Sequence, residues 1–154
     1  MKLTTAFGLA AAFLGTAFMA VPVSADEFTP AQKTELGAFL NELGDVISDA
    51  ALYLPFAIVP GISPKIVVAV VVLAIVSEMT GVLAQAVSGV RRYDGPMGKS
   101  DRAFAFSVAA IALAIWQSDA AWYVNSGILF VIAPLLGGTI ANRVYSALKK
   151  TERV

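Results

Sequence analysis

The sequence predicts an all-α protein: a polytopic membrane helical bundle with about four membrane helices after a signal-like N-terminal helix. Of its 154 residues, 58% are hydrophobic and only 14% are charged, whereas soluble domains average roughly 25% charged and 45–50% apolar residues. The run Ile66–Val87 is predominantly apolar and contains one charged residue, Glu78, and about 20 predominantly apolar residues suffice to cross a bilayer. Both observations favour a membrane protein.

The composition also excludes several classes of chemistry. The chain has no Cys and no His, which removes thiolate nucleophiles, Ser–His triads and the common zinc sites. Lys and Arg together number 11 and so do Asp and Glu. Nucleic-acid-binding proteins usually carry a basic surplus, so we expect no nucleic-acid partner.

The N-terminus is typical of an exported protein. Residues 1–25 combine Lys2, an apolar stretch and the small-residue sequence Val23-Ser24-Ala25, which is the pattern of a cleavable signal peptide. An uncleaved first membrane helix is the alternative. Residues 26–36 form a polar connector, and the membrane domain occupies 37–154.

The remaining elements are predicted from apolar runs and from the helix-breaking residues proline and glycine. Thr29 and Pro30 predict a helix start, and this helix continues through 37–59, kinks at Pro55 and ends at Pro60-Gly61. Further elements are a connection at 62–65, a span over 66–87, a polar loop over 88–102, a helix over 103–116, a turn at 119–121 and a span over 123–148 bent at Pro134.

Topology is predicted from the cationic residues, which concentrate in the 88–102 loop and at the C-terminus. Cytoplasmic segments are enriched in Lys and Arg, so both are expected on the cytoplasmic side. A cleaved signal would deliver the chain after Asp26 to the opposite side and invert this arrangement. The N-terminal 30 residues therefore conflict with the rest of the chain.

An acidic helical face is the first candidate site. Asn41, Asp45 and Asp49 are spaced four residues apart, which stacks them on one face of a helix. Gly37 extends this face and permits close approach of a neighbour. Oxygen ligands of this kind suit Mg²⁺, Mn²⁺ or Ca²⁺. A solvated acidic helix start is the equally weighted alternative.

The basic loop and an intramembrane acid are further candidates. Cations in the loop are expected to bind phosphate groups or to anchor the chain to anionic membrane lipids. Glu78 lies in the middle of a span, where it either bonds to a polar group on another helix or contacts a substrate or ion. The loop cations are Arg91, Arg92, Lys99 and Arg102.

Two stretches carry a resemblance to a known family: LGAFLNELGDVISDAALYLPF and SEMTGVLAQAVSGVRRYDGPMGKSDRAFAF. Over roughly residues 35–148 the chain resembles the CDP-alcohol phosphatidyltransferases, in particular small bacterial inner-membrane members. The resemblance implies an all-α homodimer in the bacterial inner membrane. It also implies transfer of a phosphatidyl group from CDP-diacylglycerol to an alcohol, with release of CMP.

The resemblance also implies residue roles and a cofactor. Gly37 matches a motif glycine, Asn41 stands where the family has an aspartate, and Asp45 matches the aspartate that acts as base. Asn41 and Asp45 are the implied ligands of Mg²⁺ or Mn²⁺, whereas Asp49 lies one turn further along the helix, outside the family pattern, and joins the metal set by its spacing alone. Lys99 and Arg102 are the implied phosphate contacts, with Arg91 and Arg92 beside them.

One part of the family pattern is missing. Residues 1–36 contain no DxxDGxxAR sequence, which carries half of the family's metal ligands, so activity is expected to be impaired. One alternative hypothesis is a non-catalytic membrane scaffold or a truncated or recombined family fragment. The lesser alternative is a small ion or proton pathway built on Glu78 and the acidic face.

Overall fold

The protein consists of helices and connecting loops. The computed structural model describes residues 30–115 and 119–151, with side chains described for 34–115 and 126–150, and this part of the chain contains no strand. The prediction for residues 1–25 lies outside the described residues. The elements are α1 (Pro30–Tyr53), a 3₁₀ segment (Leu54–Ile58), α2 (Pro64–Ser88), α3 (Lys99–Ile115) and α4 (Asp119–Thr151).

Prolines and one glycine set the helix boundaries. Helix α1 begins at Pro30, and the chain changes to 3₁₀ geometry next to Pro55, since proline cannot donate the hydrogen bond that a continuing α-helix needs. Helix α2 begins at Pro64. It ends before Gly89, whose φ of 70° is left-handed and whose N–H bonds to Gln85 O at 2.8 Å. This is the usual glycine-terminated helix end.

Helices α2 and α4 form the most extensive helix pair. Valine and smaller residues make up most of the inward face of α2, and apolar residues recur every three or four positions on its outward face. This outward stripe suits contact with lipid chains. The inward residues are Val67, Val70, Val71, Ala74, Ser77, Glu78, Gly81 and Ala84, and the outward ones are Val68, Val72, Val76, Met79, Leu83 and Val87.

An aromatic contact joins α1 to α3. The ring of Tyr53 stacks on Phe106 with centroids 3.8 Å apart, and Phe56 meets the same ring edge-on at 5.1 Å. All three side chains are buried. Aromatic pairs of this geometry contribute about 0.5–1.5 kcal/mol beyond the burial of their area. The contact therefore fixes the end of α1 against the middle of α3.

Two of the described helices are long and apolar enough to cross a membrane, Pro64–Ser88 and Ser126–Lys150. The predicted all-α class is confirmed for the described residues. By length and apolar composition, these residues contain two candidate membrane helices and not the predicted four. Helix α3 begins at Lys99, so the loop is shorter than predicted. The predicted turn at 119–121 is wrong, because these residues already belong to α4, whose interior contains Pro134.

Candidate functional site

The site is a polar cluster in which α1, α2 and α3 meet around one arginine. Arg102 has no exposed surface. Its Nη2 donates to Asp49 Oδ2 at 2.7 Å and to Glu78 Oε1 at 2.8 Å, and its Nε donates to Asp49 Oδ2 at 3.2 Å. One guanidinium therefore joins three helices. A buried charge is tolerated only when it is paired and hydrogen-bonded.

The two carboxylates hold Arg102 in its charged form. Burial by itself disfavours the charge of Arg102, and the hydrogen bonds to the carboxylates of Asp49 and Glu78 compensate for it. Tyr53 donates its hydroxyl to the other oxygen of Asp49, Oδ1, at 3.1 Å. Both oxygens of Asp49 are thus engaged inside the protein.

A second ion pair lies one helical turn away on the same two helices. Lys99 pairs with Asp45, four residues before Asp49 on α1 and three residues before Arg102 on α3. The side chains of Lys99 and Asp45 are 40% and 24% exposed, against 0% and 5% for Arg102 and Asp49. We call Asp45–Lys99 the outer pair and Asp49–Arg102 the inner pair. Only the outer pair is open to a ligand.

The loop over 89–98 is held against α2 and α4. The N–H of Arg92 donates to Gly81 O at 3.4 Å, and the N–H of Met97 donates to Thr139 Oγ1 at 2.9 Å. Gly95 has a φ of 142° and lies so close to Thr139 that a Cβ would come within 2.5 Å of its Cγ2. Only glycine fits there, because the backbone region and the space both exclude a side chain.

Arg143 on α4 also holds the 89–98 loop, by donating to its backbone carbonyls. Its guanidinium donates to the carbonyls of Ser77 at 2.5 Å, Tyr93 at 3.3 Å and Asp94 at 3.3 Å. Its Nη1 also lies 3.9 Å from a Glu78 oxygen. A backbone carbonyl buried without a donor would be costly, and Arg143 supplies a donor to the buried Ser77 carbonyl and to the two part-buried carbonyls of the loop. Arg143 therefore links the loop to the buried cluster, because Glu78 in turn bonds to Arg102.

The cluster balances its charges internally. Arg91 pairs with Glu42 and lies 3.7 Å from Glu78. Four cations thus face four carboxylates, namely Arg91, Lys99, Arg102 and Arg143 against Glu42, Asp45, Asp49 and Glu78. Such internal pairing is expected because a buried charge is costly unless it is paired and hydrogen-bonded.

The structure separates the predicted phosphate contacts into accessible and inaccessible residues. Lys99 is accessible. Arg102 is not, because its donors are used by Asp49, Glu78 and the Met97 carbonyl, and we correct its predicted role on this ground. Arg91 is engaged with Glu42, and Arg92 donates to Ser146 O at 2.9 Å.

The predicted metal ligands do not converge. Asp49 has both oxygens engaged and Asp45 pairs with Lys99, while Asn41 is exposed. Among the described residues no group of three or more carboxylates is placed to hold a metal ion. As arranged, these residues do not fit Mg²⁺ or Mn²⁺, which need several free oxygen ligands. Metal binding by this set stays a prediction.

Glu78 and Gly37 are the two remaining residues of the predicted site. Glu78 is buried and faces Arg102, so its carboxylate is engaged by a structural partner, and the ion-pathway hypothesis gains no support from it. No described atom lies within 4 Å of a Cβ placed on Gly37. The close approach occurs instead at Gly81, where a Cβ would lie 2.6 Å from the Arg92 carbonyl.

Sequence reasoning missed Tyr53, Arg143 and Thr139. Tyr53 continues the four-residue spacing of Asp45 and Asp49, which was an available signal. Arg143 belongs to the C-terminal cations from which the topology is predicted, although it lies within the apolar segment Ser126–Lys150. A cation in such a segment usually faces a polar interior, and this rule would have placed it in the cluster.

Comparison with known proteins supports a membrane protein and corrects the family assignment. The chain is 45% identical over 117 residues to "Inner membrane protein YnbA" of Escherichia coli (strain K12), an alignment that covers 76% of this chain and 57% of that protein. No family model matches, and no solved structure matches. The assignment to the CDP-alcohol phosphatidyltransferases is therefore incorrect by these comparisons, and roles carried over from that family lose this support.

The combined findings establish a coarse location. The chain has two candidate membrane helices and extensive identity to an inner membrane protein. It is a membrane protein with transmembrane helices, and its location is the inner membrane. The chain spans little more than half the length of its relative.

Proposed function

We propose that this protein transfers a phosphatidyl group from CDP-diacylglycerol to an alcohol and releases CMP. The observation that carries the proposal is the outer pair, a partly exposed carboxylate beside a partly exposed ammonium at the edge of a buried ion cluster. The apolar outer stripe of α2 suits the acyl chains of a lipid donor, whereas the polar edge suits a water-soluble acceptor.

The residues of the outer pair divide the reaction between them. The ammonium of Lys99 binds a phosphate oxygen of the donor, which neutralises charge where the diphosphate bond breaks. The released carboxylate of Asp45 takes the proton of the alcohol. The alcohol oxygen forms a bond to the phosphatidyl phosphorus, and CMP leaves with the bridging oxygen. No step of this sequence passes through a metal.

The proposal includes a membrane arrangement. Helices α1 and α3 lie in the membrane beside α2 and α4, giving about four membrane helices. The 88–102 loop and the C-terminus lie on the cytoplasmic side, where Lys and Arg concentrate in membrane proteins. Two copies form a homodimer, and anionic lipids contact the loop and the C-terminal lysines.

The test is CMP release from CDP-diacylglycerol by the full chain in lipid nanodiscs, with mixed polyol acceptors. Reactions contain Mg²⁺, Mn²⁺ or EDTA, so that any metal requirement is measured separately. Asp45→Asn should lose release, because an amide cannot take the proton. Glu35→Gln, which removes an exposed carboxylate from the same helix, should retain it. Absence of release from folded wild-type protein would refute the proposal.

A non-catalytic membrane scaffold is the second candidate, and the internal charge balance favours it. Every carboxylate in the cluster has a cationic partner, as expected for a purely structural network. A scaffold predicts that the protein inserts stably and binds CDP-diacylglycerol no better than phosphatidylglycerol. Nucleotide-lipid affinity that depends on Asp45 would exclude it.

A further inference from the structure

The inner and outer pairs connect the same two helices at successive turns. Asp45 and Asp49 lie on one face of α1, and Lys99 and Arg102 lie on the first turn of α3. Residues three or four apart on a helix are neighbours, so the two pairs lie side by side. The outer pair is therefore next to a buried and much more constrained contact.

The inner pair is constrained from several sides. Arg102 contacts Asp49 on α1, Glu78 on α2 and the carbonyl of Met97 in the loop. Asp49 is further held by Tyr53, whose ring stacks on α3. By contrast, the outer pair has partly exposed side chains, and exposed ion pairs contribute little by themselves.

We propose that Arg102 is a positioning residue for the outer pair. Through Asp49 and Glu78 it fixes α1 against α3, and this places Asp45 within reach of Lys99. Arg102 itself touches no substrate, because it is fully buried. The proposal deepens the proposed function, on which it rests for the roles of Asp45 and Lys99.

The experiment measures how fast each lysine is acetylated in the full chain in nanodiscs, using sulfo-NHS-acetate and peptide mass spectrometry. An amine held in an ion pair reacts more slowly than a free one. Asp45→Asn frees Lys99 and sets the reference rate, which should exceed the wild-type rate about two- to fivefold, the range of a partly exposed ion pair. Lys65, Lys149 and Lys150 serve as internal controls.

The decisive variant is Arg102→Met, which keeps an unbranched side chain and removes the charged fork. The Lys99 rate should rise to that of Asp45→Asn, while the three control lysines keep their wild-type rates. If Arg102→Met shows no cooperative unfolding transition, Arg102→Lys replaces it. A single ammonium cannot reproduce the fork between Asp49 and Glu78, so Lys99 should again react faster than in wild type.

Two results would overturn the proposal. One is an unchanged Lys99 rate in a folded Arg102 variant, which would show that the outer pair forms without Arg102. The other is a parallel rise at all four lysines, which would show general loosening of the bundle. The acetylation rate is measured without turnover. If the protein releases no CMP but gives the expected acetylation rates, the proposed function is refuted and this inference stands.

Discussion

Replacing Gly81 by alanine tests whether the loop is docked on α2 as closely as the structure indicates. The new Cβ would lie 2.6 Å from the backbone oxygen of Arg92 and 3.3 Å from Nη1 of Arg143. Ordinary contact begins at 3.4 Å, so the Arg92 carbonyl must withdraw by 3.4 − 2.6 = 0.8 Å. A backbone atom cannot do this without moving the loop.

The expected cost follows from three effects. Overpacking costs about 1–3 kcal/mol, and weakening the bond from the Arg92 N–H to Gly81 O costs about 0.5–1.5 kcal/mol. Alanine in place of glycine also stabilises the helix by about 0.5–1 kcal/mol, because glycine loses more conformational freedom on folding. The net effect for Gly81→Ala is a loss of about 0.5–4 kcal/mol in the free energy of unfolding.

Gly137→Ala is the matched control. Gly137 lies in α4, and among the described residues no atom outside the adjoining backbone of that helix lies within 4 Å of the added Cβ, so this change should be neutral or stabilise by up to about 1 kcal/mol. Both variants are unfolded by SDS titration in the same lipid–detergent mixture and followed by circular dichroism. Equal stability of the two variants would refute the close docking of the loop.

Two further substitutions test the buried contacts. Glu78→Ala leaves the Arg102 charge without one of its carboxylates and should cost about 3–5 kcal/mol, measured in the same SDS titration, whereas a loss below about 1 kcal/mol would contradict a buried pair. Thr139→Val removes the acceptor of the Met97 N–H and should cost about 1–3 kcal/mol. Thr80→Val is its control, because the exposed Thr80 hydroxyl bonds only within its own helix, and equal effects of the two changes would contradict the assignment.

Local signals in the sequence predicted the helices well, and the boundaries less so. Pro30 marked a helix start, and Pro55 marked the predicted kink, where the α-helix changes to 3₁₀ geometry, because proline lacks the N–H that a continuing helix uses. The end predicted at Pro60-Gly61 lies just beyond this segment, which ends at Ile58. The sequence analysis predicts a turn at 119–121, yet these residues are helical. A single polar residue is weak evidence for a turn, since helix starts favour acidic residues as well.

The candidate site was predictable only in part. The four-residue spacing of Asp45 and Asp49 reported that both side chains share one face of α1. It could not report that Lys99 and Arg102, more than fifty positions later, face them, since that depends on how the helices pack. The same periodicity therefore suggested a metal site, whereas the structure pairs each carboxylate with a cation.

The most direct test of the central claim is protection of Lys99 by the donor lipid. Acetylation is measured in nanodiscs that contain either CDP-diacylglycerol or phosphatidylglycerol, an anionic lipid without the diphosphate, with Lys149 and Lys150 as references. If the donor phosphate binds at the outer pair, CDP-diacylglycerol slows acetylation of Lys99 and phosphatidylglycerol does not. Equal Lys99 rates with the two lipids would contradict the account.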